Sequence, residues 1–286
     1  MEYSVHTISK EDLPKQLLEI PQPPKALSYV GVLPPKEHIY LTIVGSRKFT
    51  RYGKDACEAL IAGLKGYPIT IVSGLALGID TIVHEVALKH EINTIAFPGS
   101  GLHPTVLYPR SNYALAQKIV DNGGCLISEF PEMTRAALWT FPSRNRLMAG
   151  ISKAVLIIEA EEKSGTLITA RMALDYNRDV LVVPGSIFSP SSKGTHMLLK
   201  HGATPIASSD DILEALGFEK RSELEVPEYA DITPEEQQML ELLFEPQPRD
   251  ELVRMSGKSA QEINTLLTVM ELKGMIKEEY GEIRRY

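Results

Sequence analysis

"ITIVSGLALGIDTIVHEVALKHEINTIAFPGSG", residues 69–101, holds in one stretch the pattern that decides the fold. Ile69, Ile71 and Val72 form a short β-branched run closed by Ser73-Gly74. From Ile79 the apolar residues Ile82, Val83, Val86 and Ala87 recur at helical spacing, and a second apolar run, "NTIAF", ends on Pro98-Gly99-Ser100-Gly101. Runs that are apolar throughout, rather than alternating, need cover on both faces. Strand, helix, strand in this form predicts a parallel sheet wrapped by helices.

The pattern extends in both directions. Upstream, "YLTIVGSR" precedes the helical "GKDACEALIAGL"; downstream come "SNYALAQKIVDNGG", "CLISEF", "AVLIIEA" with "TLITARMALDYN", "VLVVPGS" with "GTHMLLKHGA", and finally "TPIAS" with "DDILEALG". The expectation for residues 39–218 is an α/β, Rossmann-like, doubly wound and mainly parallel sheet. Residues 1–38 carry six prolines with short apolar pairs between them, which predicts an extended lead-in with room for one short helix. Residues 219–231 read as a linker, and residues 232–286 as a small C-terminal winged-helix domain. In that domain Thr233 with Glu236 and Ser259 with Glu262 have capping-box spacing, "RDELVRMSG" fits a middle helix, and Tyr280-Gly281 suits a hairpin.

A chain of 286 residues that is 43% hydrophobic accommodates such a main domain and its small companion. It has no run of 18 apolar residues and no basic-then-apolar start, so the expectation is a cytoplasmic protein without a membrane segment. Cys57 and Cys125 lack metal-ligand or redox spacing and read as small buried hydrophobes; no metal and no cofactor is expected. The net charge of −7 lies wholly in residues 219–286, which carry 16 acidic and 9 basic side chains. Any anion site must therefore be a local one in the balanced first part.

In doubly wound sheets ligands bind beyond the carboxyl ends of the strands. Those ends read Gly45-Ser46-Arg47, Ser73-Gly74, Pro98-Gly99-Ser100-Gly101, Ser128-Glu129 and Pro184-Gly185-Ser186. They lack G-x-G-x-x-G spacing, and no G-x-x-x-x-G-K-[ST] occurs, which disfavours ordinary NAD and ATP sites. Lys163-Ser164-Gly165-Thr166 follows another strand and opens a helix; a plain helix cap is the alternative role for that turn. "TFPSRNRLMAG", residues 140–150, adds Arg144, Asn145 and Arg146. On a helix Arg144 and Arg146 point in different directions, so one can face a ligand while the other pairs with a carboxylate such as Glu129 or Glu159. Phe141 and Trp139 could stack on unpaired bases or cover the edge of the core. His84, four residues after Asp80, reads as a hydrogen-bonded support for its loop in preference to a metal or acid–base group. Taken together at one predicted crevice, these donors favour phosphate binding.

The blocks "VGSRKFTRYG", "IVSGLALGIDTIVHEVAL", "GLHPTVLYPRSN", "LISEFP", "FPSRNRLMAGIS", "VLIIEAEEKSGTLITARMAL" and "VLVVPGS" occur in the order in which they occur in the DNA-processing protein A family, also called DprA or Smf, and the chain resembles that family over about residues 10–218. The tail resembles the winged-helix module of many members. The resemblance implies a non-enzymatic protein that binds single-stranded DNA, forms a homodimer, and assists RecA loading in natural transformation and recombination. It implies a strand-binding pocket with Gly45, Ser46, Arg47, Phe141, Arg144 and Asn145, and with Ser164, Gly165 and Thr166 as further candidates; Lys163, Ser73 and Gly74 join them from the strand-end reading. The chain departs from the family pattern at Leu77, where an arginine is usual, and at Leu138-Trp139-Thr140, where a basic residue often stands. No N-terminal helical domain fits into the first 38 residues.

Two other classes compete. Rossmann-like enzymes that bind nucleotides or hydrolyse nucleoside monophosphates carry P-G-G-x-G-T-x-x-E, but here Thr169 stands where that catalytic glutamate would be. A regulator acting through the winged helix would need a basic recognition helix, whereas "SAQEINTLLTVMELKG" carries Glu262 and Glu271, with only Lys258 and Lys273 flanking. The tail is therefore expected to meet protein or the main domain rather than a duplex.

Overall fold

The computed structural model describes residues 4–218, 232–243, 245–279 and 281–285. The chain divides into two compact units, residues 1–220 and 221–286.

The first unit runs β1 (His6–Ser9), α1 (Lys15–Leu18), β2 (Ala26–Gly31), β3 (Ile39–Val44), α2 (Arg51–Ala62), β4 (Ile69–Ser73), α3 (Ile79–Lys89), β5 (Asn93–Ala96), α4 (Tyr113–Asp121) and β6 (Cys125–Ser128). It continues with α5 (Thr140–Ile151), β7 (Ala154–Ile157), α6 (Thr166–Asp175), β8 (Asp179–Val182), α7 (Lys193–Lys200), β9 (Thr204–Pro205) and α8 (Ser209–Ala215). Nine strands form one sheet in the order β1-β2-β6-β5-β4-β3-β7-β8-β9. From β6 to β9 every neighbouring pair is parallel. β4, β6 and β7 are buried at every position, as their unbroken apolar runs require. On one face α2, α3 and α8 pack Cys57, Ile61, Val83 and Leu213 against the sheet; on the other α5 and α6 contribute Leu147, Met148, Ala170 and Ala173. Cys125 is likewise buried, and burial pushes its thiol up to about 12.

The first 38 residues are not an extended lead-in. β1 pairs antiparallel with β2, and β2 pairs antiparallel with β6, so the segment adds two strands to the edge of the sheet. Leu17 and Ile20 are buried and lie against Gly150 of α5. The proline count misled because all six prolines fall between the strands and none within them, where a missing N–H would break the ladder.

The chain builds β4, β5 and β6 outward on one side of β3, then crosses to build β7, β8 and β9 on the other. Where β3 and β7 part company, their following loops diverge and leave a crevice.

The second unit comprises α9 (Pro234–Leu242), β10 (Gln247–Pro248), α10 (Arg249–Ser256), α11 (Ala260–Leu272), β11 (Ile276–Glu279) and β12 (Glu282–Arg285). Both capping boxes form: Thr233 and Ser259 each accept from the backbone N–H three residues on, and Glu236 and Glu262 reach back. The three helices close over Met239, Leu252, Ile263, Leu267 and Met270, and the hairpin of β11 and β12 contributes Ile283. This is a winged helix. The expected linker at 219–231, and Tyr280 of the turn, lie outside the described residues.

Candidate nucleic-acid interface

A cleft of about 500 Å³ opens at the switch between β3 and β7. The loop after β3 supplies Gly45, Ser46, Arg47 and Lys48; α5 and the residue pair before it supply Leu138, Phe141, Arg144, Asn145 and Met148; the turn into α6 supplies Ser164, Gly165, Thr166 and Thr169. Ala76 and Asp80 come from the start of α3, and Glu161 from the loop after β7. A smaller hollow adjoins it, lined by Gly74, Leu77, Gly99, Tyr108 and Pro109. Arg47, Ala76, Phe141 and Arg144 border both.

Arg47 and Phe141 form the ridge between the two. The guanidinium carbon of Arg47 lies 5.3 Å from the Phe141 ring centre, and Tyr108 lies 5.9 Å from Phe141, centre to centre. Gly99 makes room for that ring, since a Cβ there would lie 2.6 Å from it. Arg47 itself is exposed, and among the described residues no carboxylate pairs with it. A cation held over a ring, with an open hollow on either side, can meet both the phosphates and the bases of a flexible strand.

The two arginines of α5 point to different sides, as their spacing requires, and one of them pairs with Glu129. Arg146 pairs with Glu129 and donates to the Gln22 carbonyl, which ties α5 to β6 and to the N-terminal segment. Burial raises the Glu129 carboxyl while Arg146 holds it down. Arg144 is only 5% exposed. Its Nη1 donates to the carbonyls of Gly74 and Phe97, and its Nε donates to Asn145 Oδ1 at 3.0 Å. Burial pushes this guanidinium down to about 10, with the Asp80 charge opposing, so it stays charged at neutral pH. Asp80 in turn accepts from the N–H groups of Gly74 at 3.1 Å and Ala76 at 3.3 Å. Burial raises its carboxyl; Arg144 and those N–H groups pull it back. Arg144 is thus a buried strut that fixes the turn from β4 to α3, and only its edge borders the cleft.

Of the residues singled out in the sequence, Gly45, Ser46, Arg47, Phe141, Arg144, Asn145, Ser164, Gly165 and Thr166 come together at the larger cleft. Gly74 lines only the smaller hollow. Ser73 is fully buried and donates to the Ile43 carbonyl at 2.7 Å, so its hydroxyl ties two strands together instead of facing a ligand. Lys163 is exposed but lies outside both linings. Trp139 is 60% exposed and stands edge-on to Phe130, with Leu138 taking its expected place in the lining. Lys48, Tyr108 and Thr169 line these hollows without having been expected as ligand groups. For Lys48, its position beside Arg47 at a strand end was the available signal. Leu77 borders the smaller hollow, so the usual arginine there would have added a cation at that spot.

His84 bonds Thr94 Oγ1 at 2.8 Å from within the core. Burial, with Arg144 adding to it, pushes its imidazole down to about 3. Among the described residues no three His, Cys, Asp or Glu side chains gather to hold a metal, and no helix is long and apolar enough to cross a membrane.

Residues 4–217 match the family model of DNA recombination-mediator protein A. The chain belongs to that family. Residues 224–282 match the family's winged-helix domain, described as the DprA winged helix domain. Among curated relatives, the chain is 37% identical over 274 residues to Protein Smf of Escherichia coli, covering 93% of this chain and 73% of that one. It is 38% identical over 205 residues to DNA processing protein DprA of Streptococcus pneumoniae, covering 72% of this chain and 71% of that one. Among solved structures, DprA from Streptococcus pneumoniae superimposes with a TM-score of 0.69 at 37% identity, covering 76% of this chain and 75% of that one. DNA processing protein A from Helicobacter pylori, whose structure is described as giving insight into its single-stranded DNA binding mode, has a TM-score of 0.66 at 30% identity and covers 75% of this chain and 96% of that one.

Proposed function

We propose that this recombination-mediator family member binds single-stranded DNA along the paired hollows beyond β3 and β7, without catalysing a reaction on it. The observation that carries the reading is the Arg47–Phe141 ridge: an exposed cation 5.3 Å over a ring, both bordering the two hollows. Phosphates meet Arg47 and Lys48, and unstacked bases meet Phe141 and Tyr108, at ~1–3 kcal/mol per stacked base. Duplex DNA, whose bases are already stacked and paired, cannot use the rings. The protein then acts in the cytoplasm as a homodimer that shields incoming strands and assists the loading of RecA in natural transformation.

A hydrolytic reading loses support from two features of the cleft. Thr169 offers a hydroxyl where a general acid or base is required, and Asp80 is committed to the Gly74 and Ala76 N–H groups. The deciding experiment is a gel shift of single-stranded and duplex DNA, with and without RecA. Preferential shift of the single strand, and faster RecA filament formation on it, is the expected result. Equal shift of both forms, or release of free base from nucleoside monophosphates, would replace the proposal.

A further inference from the structure

We propose that a second strand-binding surface adjoins the larger cleft: a shelf of exposed rings and lysines on the start of α2 and the loop after β8, over which a single strand continues once it leaves the Arg47–Phe141 ridge. The inference rests on the reading of the cleft as a single-strand site and extends the path beyond it.

Four large hydrophobic side chains stand in the open there: Phe49 and Tyr52 are half exposed, and Ile187 and Phe188 are 78% and 90% exposed. Apolar side chains scattered singly over a surface need no account, but a group of them on adjoining loops marks a contact surface. Two ties hold these loops together. The Tyr52 hydroxyl donates to the Pro184 carbonyl at 2.5 Å. The buried Glu159, just after β7, accepts from the Thr50 N–H at 2.9 Å and from the Ser191 hydroxyl at 3.0 Å, so one carboxylate grips both the loop after β3 and the segment after β8. With its hydroxyl committed, the Tyr52 ring is held in place while half of the side chain stays exposed. A ring fixed before a ligand arrives loses little freedom when a base stacks on it.

The shelf is continuous with the cleft on two sides. Arg47 and Lys48, which line the cleft, run directly into Phe49. On the other side the Ala160 N–H donates to the Ser191 carbonyl and the Gly194 N–H to the Ala160 carbonyl, each at 2.8 Å, which joins the segment after β8 to the loop whose Glu161 lines the cleft. The charges around the rings select the occupant. Lys48, Lys163 and Lys193 are exposed, and among the described residues no carboxylate pairs with them. Asp55 and Glu58 of α2 face Arg51 and Lys54, whereas Glu161 and Glu162 are exposed and temper the attraction, leaving stacking as the main contribution. Rings interleaved with cations suit unpaired bases and their phosphates. β8 stands two strands from β3, about 10 Å at ~4.8 Å per strand, which is room for about two or three nucleotides at ~3.4 Å each.

The test uses the full chain with fluorescent oligothymidines of increasing length, in wild type, Phe188→Ser and Phe49→Ser. Wild-type affinity is expected to keep rising after the strand is long enough to fill the cleft. Each variant should lose about tenfold on the longer strands, the increment of one stacked base, and bind the shortest strands as wild type does. A strand substituted with 5-iodouracil and irradiated on the wild-type protein should crosslink to Phe188 or Tyr52, as read by peptide mass. Unchanged affinity of both variants at every length, or crosslinks confined to Phe141 and Tyr108, would overturn the inference while leaving binding in the cleft intact. Altered sedimentation of Phe188→Ser with unaltered strand affinity would overturn it too, by assigning the shelf to a second copy of the chain. Absence of wild-type binding at any length would instead overturn the functional reading beneath it.

Discussion

The strand-end rim of the first unit and the α11 face of the second both carry polar residues of kinds that contact nucleic acids, and they use them in opposite ways. In the second unit several of the described cations are spent internally. Arg249 pairs with Glu278 and also donates to Asn264, Lys258 pairs with Glu235, and Lys273 with Glu236. Thr265 and Thr268 return their hydroxyls to the carbonyls of Gln261 and Asn264. On the rim, Arg47 is exposed and has no carboxylate partner among the described residues, while the neighbouring cation, Arg144, takes the local carbonyls and lies closest to the Asp80 charge. Residue type alone does not separate the two regions. Which charges are already satisfied does.

The largest expected effect comes from removing the buried strut. Arg144→Met leaves the Gly74 and Phe97 carbonyls without their donor and removes the positive charge beside the buried Asp80 carboxylate, and should cost about 3–5 kcal/mol of stability in urea unfolding. A loss under 1 kcal/mol would mean that Arg144 is not a strut. Phe141→Ala should weaken oligothymidine binding by ~1–3 kcal/mol with little change for the folded core, since the ring stacks at the rim. If affinity holds while stability falls, the ring belongs to the core and the contrast drawn here fails at that residue.

Acid should act on the first unit through His84. Its folded imidazole lies near 3, against an ordinary 6.5, so the unfolded chain takes up the proton first. Stability is therefore intact above about 6.5 and declines as the pH falls toward 3. The melting temperature measured at pH 7 and pH 5 should drop, and the drop should shrink in His84→Gln. An identical drop in the variant would assign the effect to other groups. The smallest effect is expected in the second unit: Arg249→Gln breaks a partly exposed pair, worth up to ~1 kcal/mol, and should leave single-strand binding unaltered. Substantial loss of binding would show that the winged helix grips DNA after all.

The parallel sheet was legible because its strands are apolar throughout and each ends in small residues, and the switch point then located the cleft. Arg146 with Glu129 was legible too, since helical geometry forces two arginines two positions apart onto different sides. The edge strands β1 and β2 were hidden by prolines that turned out to separate them. Ser73 misled because a strand-end serine can point into the sheet as readily as out of it, and only the packing of β3 against β4 decides. The burial of Arg144 depended on carbonyls 47 and 70 residues away, which no local pattern encodes.

The central claim is that the Arg47–Phe141 ridge grips a flexible polynucleotide, and oligothymidine binding by wild type and Arg47→Glu over a series of salt concentrations tests it most directly. Wild type should bind with an affinity that falls as salt rises, and the charge-reversed protein, folded by its melting curve, should bind far more weakly with a shallower salt dependence. Equal affinity and equal salt slope in the two proteins would contradict the claim.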